Sequence, residues 1–263
     1  MAEKTRKPEK EDNSGLQTSV VRVFSILETL SQVKSLNLEH LSQQTGLAKP
    51  TVYRFLNSLK DLGYVRRDHN DQYSTTLKLF SIGSRSLDHM DLYEIARPIA
   101  RNLSLELGET VHVGIRDEHE ALYLIKIESK YTIRMYSRVG KRIPLYCTAI
   151  GKCLLSGMDN SDLDTYGSVV SLVPFTPGTL TSLEQLKNEI HQIREQGFAE
   201  DREEHEEGIR CIGSPIRDYT GSIIAALSVS WPLFRFDKDR EENNRKAVQE
   251  AAEEISRILG YYT

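Results

Sequence analysis

The sequence is poor in cysteine and lacks the cysteine spacings that build disulfide frameworks or metal centres. Its 263 residues include three cysteines, Cys147, Cys153 and Cys211. No two of them stand in the C-x-x-C arrangement that is typical of zinc and redox motifs. We therefore expect reduced thiols, a cytoplasmic protein, and neither a metal ion nor another cofactor.

Long apolar runs are also missing. The longest, residues 223–227, is far too short for a transmembrane helix, which needs about 20 residues. The N-terminal stretch MAEKTRKPEKEDNSG is charged and contains no apolar signal-peptide core. We expect no membrane partner, and we expect residues 1–16 to form a disordered tail.

Neither sign of charge dominates the chain. There are 34 basic and 38 acidic residues, and a net charge of −4 excludes a bulk polycation. The distribution is uneven, because residues 1–80 carry 12 basic and 9 acidic residues while the remainder carries 22 and 29. This asymmetry indicates two parts of the chain with different tasks.

The basic part has the pattern of a winged helix-turn-helix. Apolar residues at helical spacing predict a helix over 18–32, and LNLEHLSQQTG predicts a second, short helix and a turn. A third helix should run from about Lys49 to Gly63, where glycine favours a C-cap. The segment YVRRDHNDQYSTT predicts two short strands around a polar turn. We place this domain at 17–76.

The third helix has an apolar seam at Val52, Phe55, Leu56, Leu59 and Leu62 and polar residues on its free face. Such a helix is typical of major-groove recognition, where arginine pairs with guanine and asparagine with adenine. In the alternative interpretation, the tyrosine packs and the basic side chains only solvate the surface. The predicted DNA contacts are Lys49, Thr51, Tyr53, Arg54, Asn57, Arg66 and Arg67.

Residues 77–90 predict a linker helix, and residues 91–263 predict a second domain. A helix ending at Gly108 precedes three strand-like segments, TVHVGIRDE, EALYLIKIES and TIRMYSRVG. A helix capped by Thr148 then begins near Ala149, followed by helices, two more strands and a closing helix. This order predicts an α+β domain with an antiparallel sheet flanked by helices.

Several stretches together resemble the IclR family of bacterial transcriptional regulators. They include LSQQTGLAKPTVYRFLNSLKDLGYV, PLYCTAIGKCLL and GFAEDREEHEEGIRCIGSPI, and the resemblance covers residues 17–260. It implies a winged-helix DNA-binding domain, a linker helix and a GAF-like effector-binding domain. Family members are usually homodimers or dimers of dimers, and most are repressors. A dimer should bind an inverted-repeat operator.

Within this family, RMYSRVGKRIPLYCTAIGK and EDREEHEEGIRCI are most similar to repressors of pectin and keto-deoxygluconate breakdown. One departure is Pro50, where relatives often carry a serine able to bond phosphate. The resemblance implies a site for a small hydroxy- or keto-carboxylate, such as a keto-deoxy sugar acid. The implied residues are Met135, Tyr146, Thr148, Ala149, Gly151, Asp201, Cys211, Ser228 and Ser230.

The chemistry of these residue types agrees with that implication. The unpaired N–H groups of a helix N-terminus favour a carboxylate. Asp201 can accept hydroxyl protons, and Ser228 and Ser230 face the same side of one strand. Without the resemblance, capping by Thr148 and core packing of the two serines would explain these residues as well.

Other functions are left as alternatives. Cys147 or Cys211 could act as a nucleophile with His112 or His205 as its base, although no local signature surrounds either cysteine. The chain could also be an activator that responds to another organic acid, or a DNA-binding architectural protein without an effector.

Two further motifs carry no function in our interpretation. The acidic run 200–207 lacks the regular ligand spacing of a metal site and is expected to be a solvated face. The segment IGKC is not a phosphate-binding loop, because Tyr146 and Cys153 replace residues that such a loop needs. We expect Lys152 to lie on a helix surface and His112 to be a hydrogen-bonded sheet residue.

Overall fold

The computed structural model describes residues 19–79, 81–82, 91–132 and 135–262. The chain divides into two compact units between residues 89 and 90. The predicted tail, 1–16, and most of the predicted linker helix, 77–90, lie outside the described residues. No helix in the described ranges is long and apolar enough to cross a membrane.

The described part of the first unit begins with three helices and a two-stranded wing, after which residues 77–79 and 81–82 are also helical. Its elements are α1 (Ser19–Ser31), α2 (Leu38–Thr45), α3 (Lys49–Asp61), β1 (Val65–Arg67) and β2 (Tyr73–Thr75). The side chain of Asn37 caps α2 by accepting from the His40 N–H at 2.9 Å. Gly46 ends that helix with φ +68°, a conformation that favours glycine. The winged helix-turn-helix is as predicted.

One side of α3 anchors the recognition helix to a small core. Val52, Leu56 and Leu59 are buried against α1, α2 and the wing. The prediction was wrong for Leu62, which is 57% exposed. Leu62 is the C-cap residue that follows the last residue of α3, and it lies outside the core cluster of this unit. Burial of the other three fixes which side of α3 faces solvent.

The second unit is an antiparallel sheet with helices on both faces. Its helices are α4 (Leu92–Leu107), α5 (Ala149–Leu155), α6 (Asn160–Val169), α7 (Leu183–Gln196) and α8 (Glu241–Ile258). Its strands are β3 (Thr110–Asp117), β4 (Glu120–Ile127), β5 (Arg142–Pro144), β6 (Ala199–Arg202), β7 (Ile209–Arg217) and β8 (Ile223–Pro232). They lie in the order β5-β4-β3-β8-β7-β6. The predicted α+β class is confirmed.

Strand alternation sorts the side chains of β3 onto the two faces of this sheet. Val111 and Val113 join the core that contains residues of α4 and α8. His112 and Gly114 point to the opposite face, where α5 packs and Ile150 lies next to Gly114. The second face therefore carries both polar residues and the α5 helix.

The segment TIRMYSRVG was wrongly predicted as a strand. The strand that pairs with β4 on the side away from β3 is the later Arg142–Pro144. Within the described part of the segment, Lys126 Nζ donates to the carbonyl oxygens of Met135 at 3.0 Å and of Ser137 at 2.7 Å. A side chain from the sheet, not a neighbouring strand, thus satisfies these backbone acceptors.

Glycines allow α5 to lie unusually close to the rest of the unit. A Cβ atom added to Gly151 would stand 2.2 Å from the carbonyl oxygen of Leu145. A Cβ atom added to Gly213 on β7 would stand 3.2 Å from the carbonyl carbon of Ala149. The first residues of α5 are therefore held directly over the sheet.

We expect Gly151→Ala to destabilise the protein, although alanine is normally the better helix former. The added methyl group would overlap main-chain atoms that cannot move independently, and such overpacking costs about 1–3 kcal/mol or more. Urea denaturation should show a lower free energy of unfolding. Ser168→Ala, at an exposed position of α6, is the control and should be near neutral. An unchanged stability for Gly151→Ala would contradict the close approach.

Candidate functional site

A row of polar side chains crosses the sheet beneath the N-terminus of α5. Strand register places His112 opposite Ser228, and Ser230 opposite both Thr110 and Cys211. Asp201, on the edge strand β6, pairs with Cys211 on β7. Since paired residues share a face, residues that are far apart in the chain meet on one surface. Cys211 Sγ lies 3.2 Å from Ser230 Oγ, which links two of them directly.

Helix α5 covers this row with its N-terminus. Thr148 caps the helix by accepting from the Gly151 N–H at 3.1 Å, as predicted. The Thr148 hydroxyl also donates to the carbonyl of Pro144 at 2.7 Å. The N–H groups of the first helical residues, Ala149 and Ile150, have no helical acceptor and give this end of α5 a partial positive charge.

A cavity of about 50 Å³ lies between the row and the helix. Seven of the nine predicted effector residues line it. A volume of this size holds roughly three water molecules, since each needs about 10–15 Å³. Tyr136, which is 91% exposed, and Lys141 belong to the segment that forms one wall. The predicted residues in the lining are Met135, Thr148, Ala149, Asp201, Cys211, Ser228 and Ser230.

Two predicted residues do not line the cavity. Tyr146 is buried in the core beneath α5 and donates its hydroxyl to the carbonyl of Val173 at 2.8 Å. Gly151 packs against the main chain of Leu145, and its N–H is already bonded to Thr148. Proximity in sequence to the lining residues was misleading, because the hydroxyl of Tyr146 is directed to Val173 and Gly151 faces the main chain of Leu145.

Asp201 is the buried acid of the cavity. It is 4% exposed, and its Oδ1 accepts from the Glu204 N–H at 2.8 Å. Burial, together with the nearby charge of Glu204, raises the pKa of Asp201 to about 7, although backbone hydrogen bonds and Lys152 act to lower it. Near neutral pH the carboxyl group can therefore donate or accept a hydrogen bond to a ligand.

Sequence reasoning missed His112 as a lining residue. Its Nε2 lies 2.7 Å from Ser137 Oγ, and its ring stacks on Tyr123 with centroids 4.4 Å apart. Its Nδ1 has no partner among the described residues. Burial, with Lys126 and Lys141, lowers the pKa of His112 to about 3, so the ring is neutral. The buried, unpaired Nδ1 indicates a role for His112 in the cavity, and only the structure shows that this nitrogen is unpaired.

Lys152 corrects the prediction that it lies on a helix surface. The side chain is fully buried, and its Nζ lies 2.6 Å from Glu204 Oε1 and 3.0 Å from Glu189 Oε1. Burial would lower the pKa of Lys152, but the two carboxylates outweigh it and raise that pKa. The partners lie far along the chain, so the pattern around Lys152 could not reveal them. The ion pairs hold the turn after β6, which follows Asp201.

The acidic run 200–207 is also more ordered than a solvated face. Glu200 is 4% exposed and forms ion pairs with Arg202, Arg210 and Arg245. The carbonyl of Glu204 accepts from Thr179 Oγ1 at 2.5 Å. Within the described part of the chain, no group of three or more His, Cys, Asp and Glu side chains is arranged to hold a metal ion.

The cysteines have environments that disfavour nucleophilic chemistry. Burial raises the pKa of the Cys147 thiol, and nearby Asp201 and Glu204 raise it further. Burial and Asp201 have the same effect on the pKa of Cys211. A nucleophilic cysteine instead requires a pKa near or below neutrality.

Most of the predicted DNA contacts are exposed on the first unit, and three of them, Lys49, Tyr53 and Arg67, line one groove. Lys49, Tyr53, Arg54, Arg66 and Arg67 are exposed, whereas Thr51 and Asn57 are partly buried. Arg66 Nε donates to Ser74 Oγ at 3.0 Å across the wing. A winged helix-turn-helix together with a separate sheet domain that encloses a polar cavity defines a DNA-binding transcriptional regulator.

Comparisons with known proteins agree with this class. Residues 19–69 match the IclR helix-turn-helix domain, and residues 84–257 match the C-terminal domain of the bacterial transcriptional regulator IclR. The chain therefore belongs to the IclR family of bacterial transcriptional regulators, and it is a regulator and not an enzyme. Regulators of this family bind small effector molecules.

Individual relatives cover nearly the whole chain. The HTH-type transcriptional regulator KdgR of Escherichia coli is 44% identical over 93% of this chain and 94% of its own length. The HTH-type transcriptional repressor AllR of the same species is 34% identical over 91% and 89%. The crystal structure of Thermotoga maritima IclR superposes with a TM-score of 0.63 at 33% identity, covering 92% of this chain and 99% of that one.

We expect the stability of the protein to fall between about pH 4 and pH 7 because of Asp201. The raised pKa means that the native state keeps a proton that the unfolded state loses above its ordinary pKa of 3.8. The native state is therefore penalised increasingly through this range and constantly above about 7. Asp201→Asn, which keeps an oxygen acceptor for Glu204, should remove this penalty.

Urea denaturation at several pH values tests this expectation. The free energy of unfolding of Asp201→Asn relative to wild type should rise between pH 4 and pH 7 and then level off. Asp164→Asn changes an exposed acid of α6 and should show no such rise. A pH-independent difference for Asp201→Asn would mean that Asp201 titrates normally.

Proposed function

We propose that this protein represses a sugar-acid catabolic operon and that a small hydroxy- or keto-carboxylate releases it from its operator. The observation that carries the proposal is the cavity in which a helix N-terminus, a buried acid and two serine hydroxyls lie together. The similarity of two segments to repressors of keto-deoxygluconate breakdown supports the effector class. The relationship to AllR, which is named a repressor, supports the direction of regulation.

The cavity suggests an orientation for the effector. We place its carboxylate at the N–H groups of Ala149 and Ile150, because the Gly151 N–H is occupied by Thr148. The hydroxyl or keto oxygens would then meet Asp201 and the two serines. His112 would use its unpaired Nδ1 toward the ligand, and Met135 and Cys211 would provide less polar walls.

The size of the cavity favours compact acids. A volume of about 50 Å³ suits an acid of the size of pyruvate. A six-carbon keto-deoxy sugar acid needs more space, which an outward movement of residues 135–141 would provide. This segment is held by Lys126 through two carbonyl oxygens. The proposal therefore includes a rearrangement of that wall when the larger acid binds.

For DNA, we propose a homodimer, or a dimer of dimers, on an inverted-repeat operator. Each protomer would insert α3 into the major groove, with Arg54 reading a guanine and Asn57, which lies later on the helix, pairing with an adenine where it reaches the bases. Thr51 and Tyr53 would contact phosphate or a thymine methyl group. Lys49 and the wing arginines, Arg66 and Arg67, would contact phosphates. The predicted linker helix, 77–90, would contribute to the contact between protomers.

Arg54→Ala should weaken binding to an operator that wild-type protein has selected from random duplexes. The loss of a bidentate guanine contact costs about 1–3 kcal/mol per half-site and should relax the base preference at one position. Fluorescence anisotropy with the selected operator and with single-base variants measures both effects. Wild-type affinity and wild-type base preference would show that Arg54 does not read a base.

Arg67→Ala is the comparison for this experiment. A phosphate contact carries no sequence information, so this variant should bind all duplexes more weakly and with a smaller dependence on salt. Loss of base preference in Arg67→Ala, without loss in Arg54→Ala, would reverse the two assignments.

Asp201→Ala should bind 2-keto-3-deoxygluconate or pyruvate more weakly than wild type. Loss of a hydrogen bond in a closed polar site costs about 1–3 kcal/mol, which corresponds to roughly 5- to 150-fold in affinity. Isothermal titration measures the affinity, and operator binding without the acid should be unchanged. In cells, this variant should repress its operon in a manner that the acid cannot relieve.

The control for this prediction is Asp164→Ala, which removes an exposed acid from the same unit. It should bind the acids as wild type does. Should the folded Asp201→Ala variant keep wild-type affinity, Asp201 would serve only to hold the turn at Glu204, and the site assignment would be wrong.

A further inference from the structure

A groove on the first unit lies between α2, the beginning of α3 and the wing. It has a volume of about 340 Å³ and combines two cations, Lys49 and Arg67, with two acids, Glu39 and Asp71. Asn37, the N-cap of α2, and the exposed Tyr53 also line it. The groove adjoins the side of α3 that carries the proposed base contacts, so it lies where a DNA backbone would pass.

Both cations of the groove are bound by acids of the chain itself. Lys49 Nζ lies 2.9 Å from Glu39 Oε1, and Arg67 Nη2 lies 2.6 Å from Asp71 Oδ1. The hydrogen bond from Lys49 holds the pKa of Glu39 below its usual range, so the Glu39 carboxylate is charged. Each pair thus places a carboxylate oxygen where a phosphate group would present its own.

These pairs are exposed and therefore easily opened. The side chains of Glu39 and Asp71 are 60% and 72% exposed, and those of their partners are 54% and 39% exposed. Ion pairs at such positions contribute little to folding stability, because water solvates the separated charges well. Their role is better sought in binding than in the fold.

The pairing is selective among the proposed DNA contacts. Within the described residues, Arg54 and Arg66 form no ion pair, although both are exposed. Arg54 lies near the ring of Phe55, and Arg66 is bonded to the hydroxyl of Ser74. The proposed base-reading arginine is thus free of competing acids, whereas two proposed phosphate contacts are not.

We infer that Glu39 and Asp71 are internal competitors for the DNA phosphate backbone. In the free protein each carboxylate occupies a cation that contacts phosphate in the complex, and DNA binding exchanges the carboxylate for a phosphate. The two acids thereby lower affinity for every duplex, independently of sequence. This inference rests on the proposed position of the DNA-binding surface.

The physical basis is that a released carboxylate remains beside the phosphate that replaced it. Opening each ion pair reduces the gain from the new contact, and the remaining negative charge repels the backbone. Both effects weaken as salt screens the charges, so the acids should matter most at low ionic strength. Neutral isosteres of the two acids should therefore bind DNA more tightly, chiefly at low salt.

Glu39→Gln and Asp71→Asn test the inference on a duplex of arbitrary sequence. Asn is suitable at position 71 because the backbone there has φ +60°, a region that asparagine tolerates. Each variant should bind about 2- to 5-fold more tightly at about 50 mM salt, and the double variant about tenfold. The gain should shrink by about 200 mM salt. Fluorescence anisotropy across this range measures it.

Glu28→Gln is the matched control, because it changes the net charge equally at an exposed position of α1. The affinity of this variant for the duplex should differ from that of wild type by less than twofold. Unchanged affinity in Glu39→Gln and Asp71→Asn would overturn the inference. Weaker binding would also overturn it, since the acids would then orient the cations for DNA.

Lys49→Met and Arg67→Met separate this inference from the proposed surface itself. If both variants weaken binding while the acid variants leave it unchanged, the surface is correctly placed and only the competition is refuted. If neither cation variant affects binding, DNA passes elsewhere on the first unit, and both ideas fail together. The expected outcome is weaker binding without the cations and tighter binding without the acids.

Discussion

The architecture of the second unit depends on the close approach of α5 to the sheet. Gly151 lets the helix pass the main chain of Leu145, and Gly213 lets its first turn rest on β7. With larger residues the helix would stand off, and its N–H groups would no longer face the polar row. The small volume of the cavity and the position of the positively polarised N-terminus of α5 both follow from this contact between backbones.

Buried ion pairs hold the neighbourhood of Asp201 in place. Lys152 lies beneath the turn that follows Asp201, and its buried ammonium group balances Glu189 and Glu204. Such a group is stabilising only when all its partners are present, because an unpaired buried charge is strongly unfavourable. The turn is also held from outside by the hydroxyls of Thr176 and Thr179. Asp201 thus occupies a position determined by packing on several sides.

The two units use electrostatics in opposite ways. In the second unit, burial strengthens each interaction and shifts the pKa of Asp201 and His112 in opposite directions. In the first, the ion pairs of Lys49 and Arg67 are exposed to water, where opening them requires little energy. The proposed pocket for a small molecule and the proposed surface for DNA are therefore built from the same residue types.

Local pattern alone predicted much of this protein. The helices of the winged domain, the turn at Gly46, the cap at Thr148 and the antiparallel α+β class all follow from periodicity and from turn chemistry over a few residues. Most of the residues that line the cavity were predicted from the resemblance to the IclR family. Tertiary structure alone decided that Lys152 is buried, that His112 lines the cavity, that Tyr146 does not, and that Glu39 and Asp71 hold two cations. The reason is physical: burial and ion pairing depend on partners from distant segments, whereas periodicity records only which side of an element is apolar.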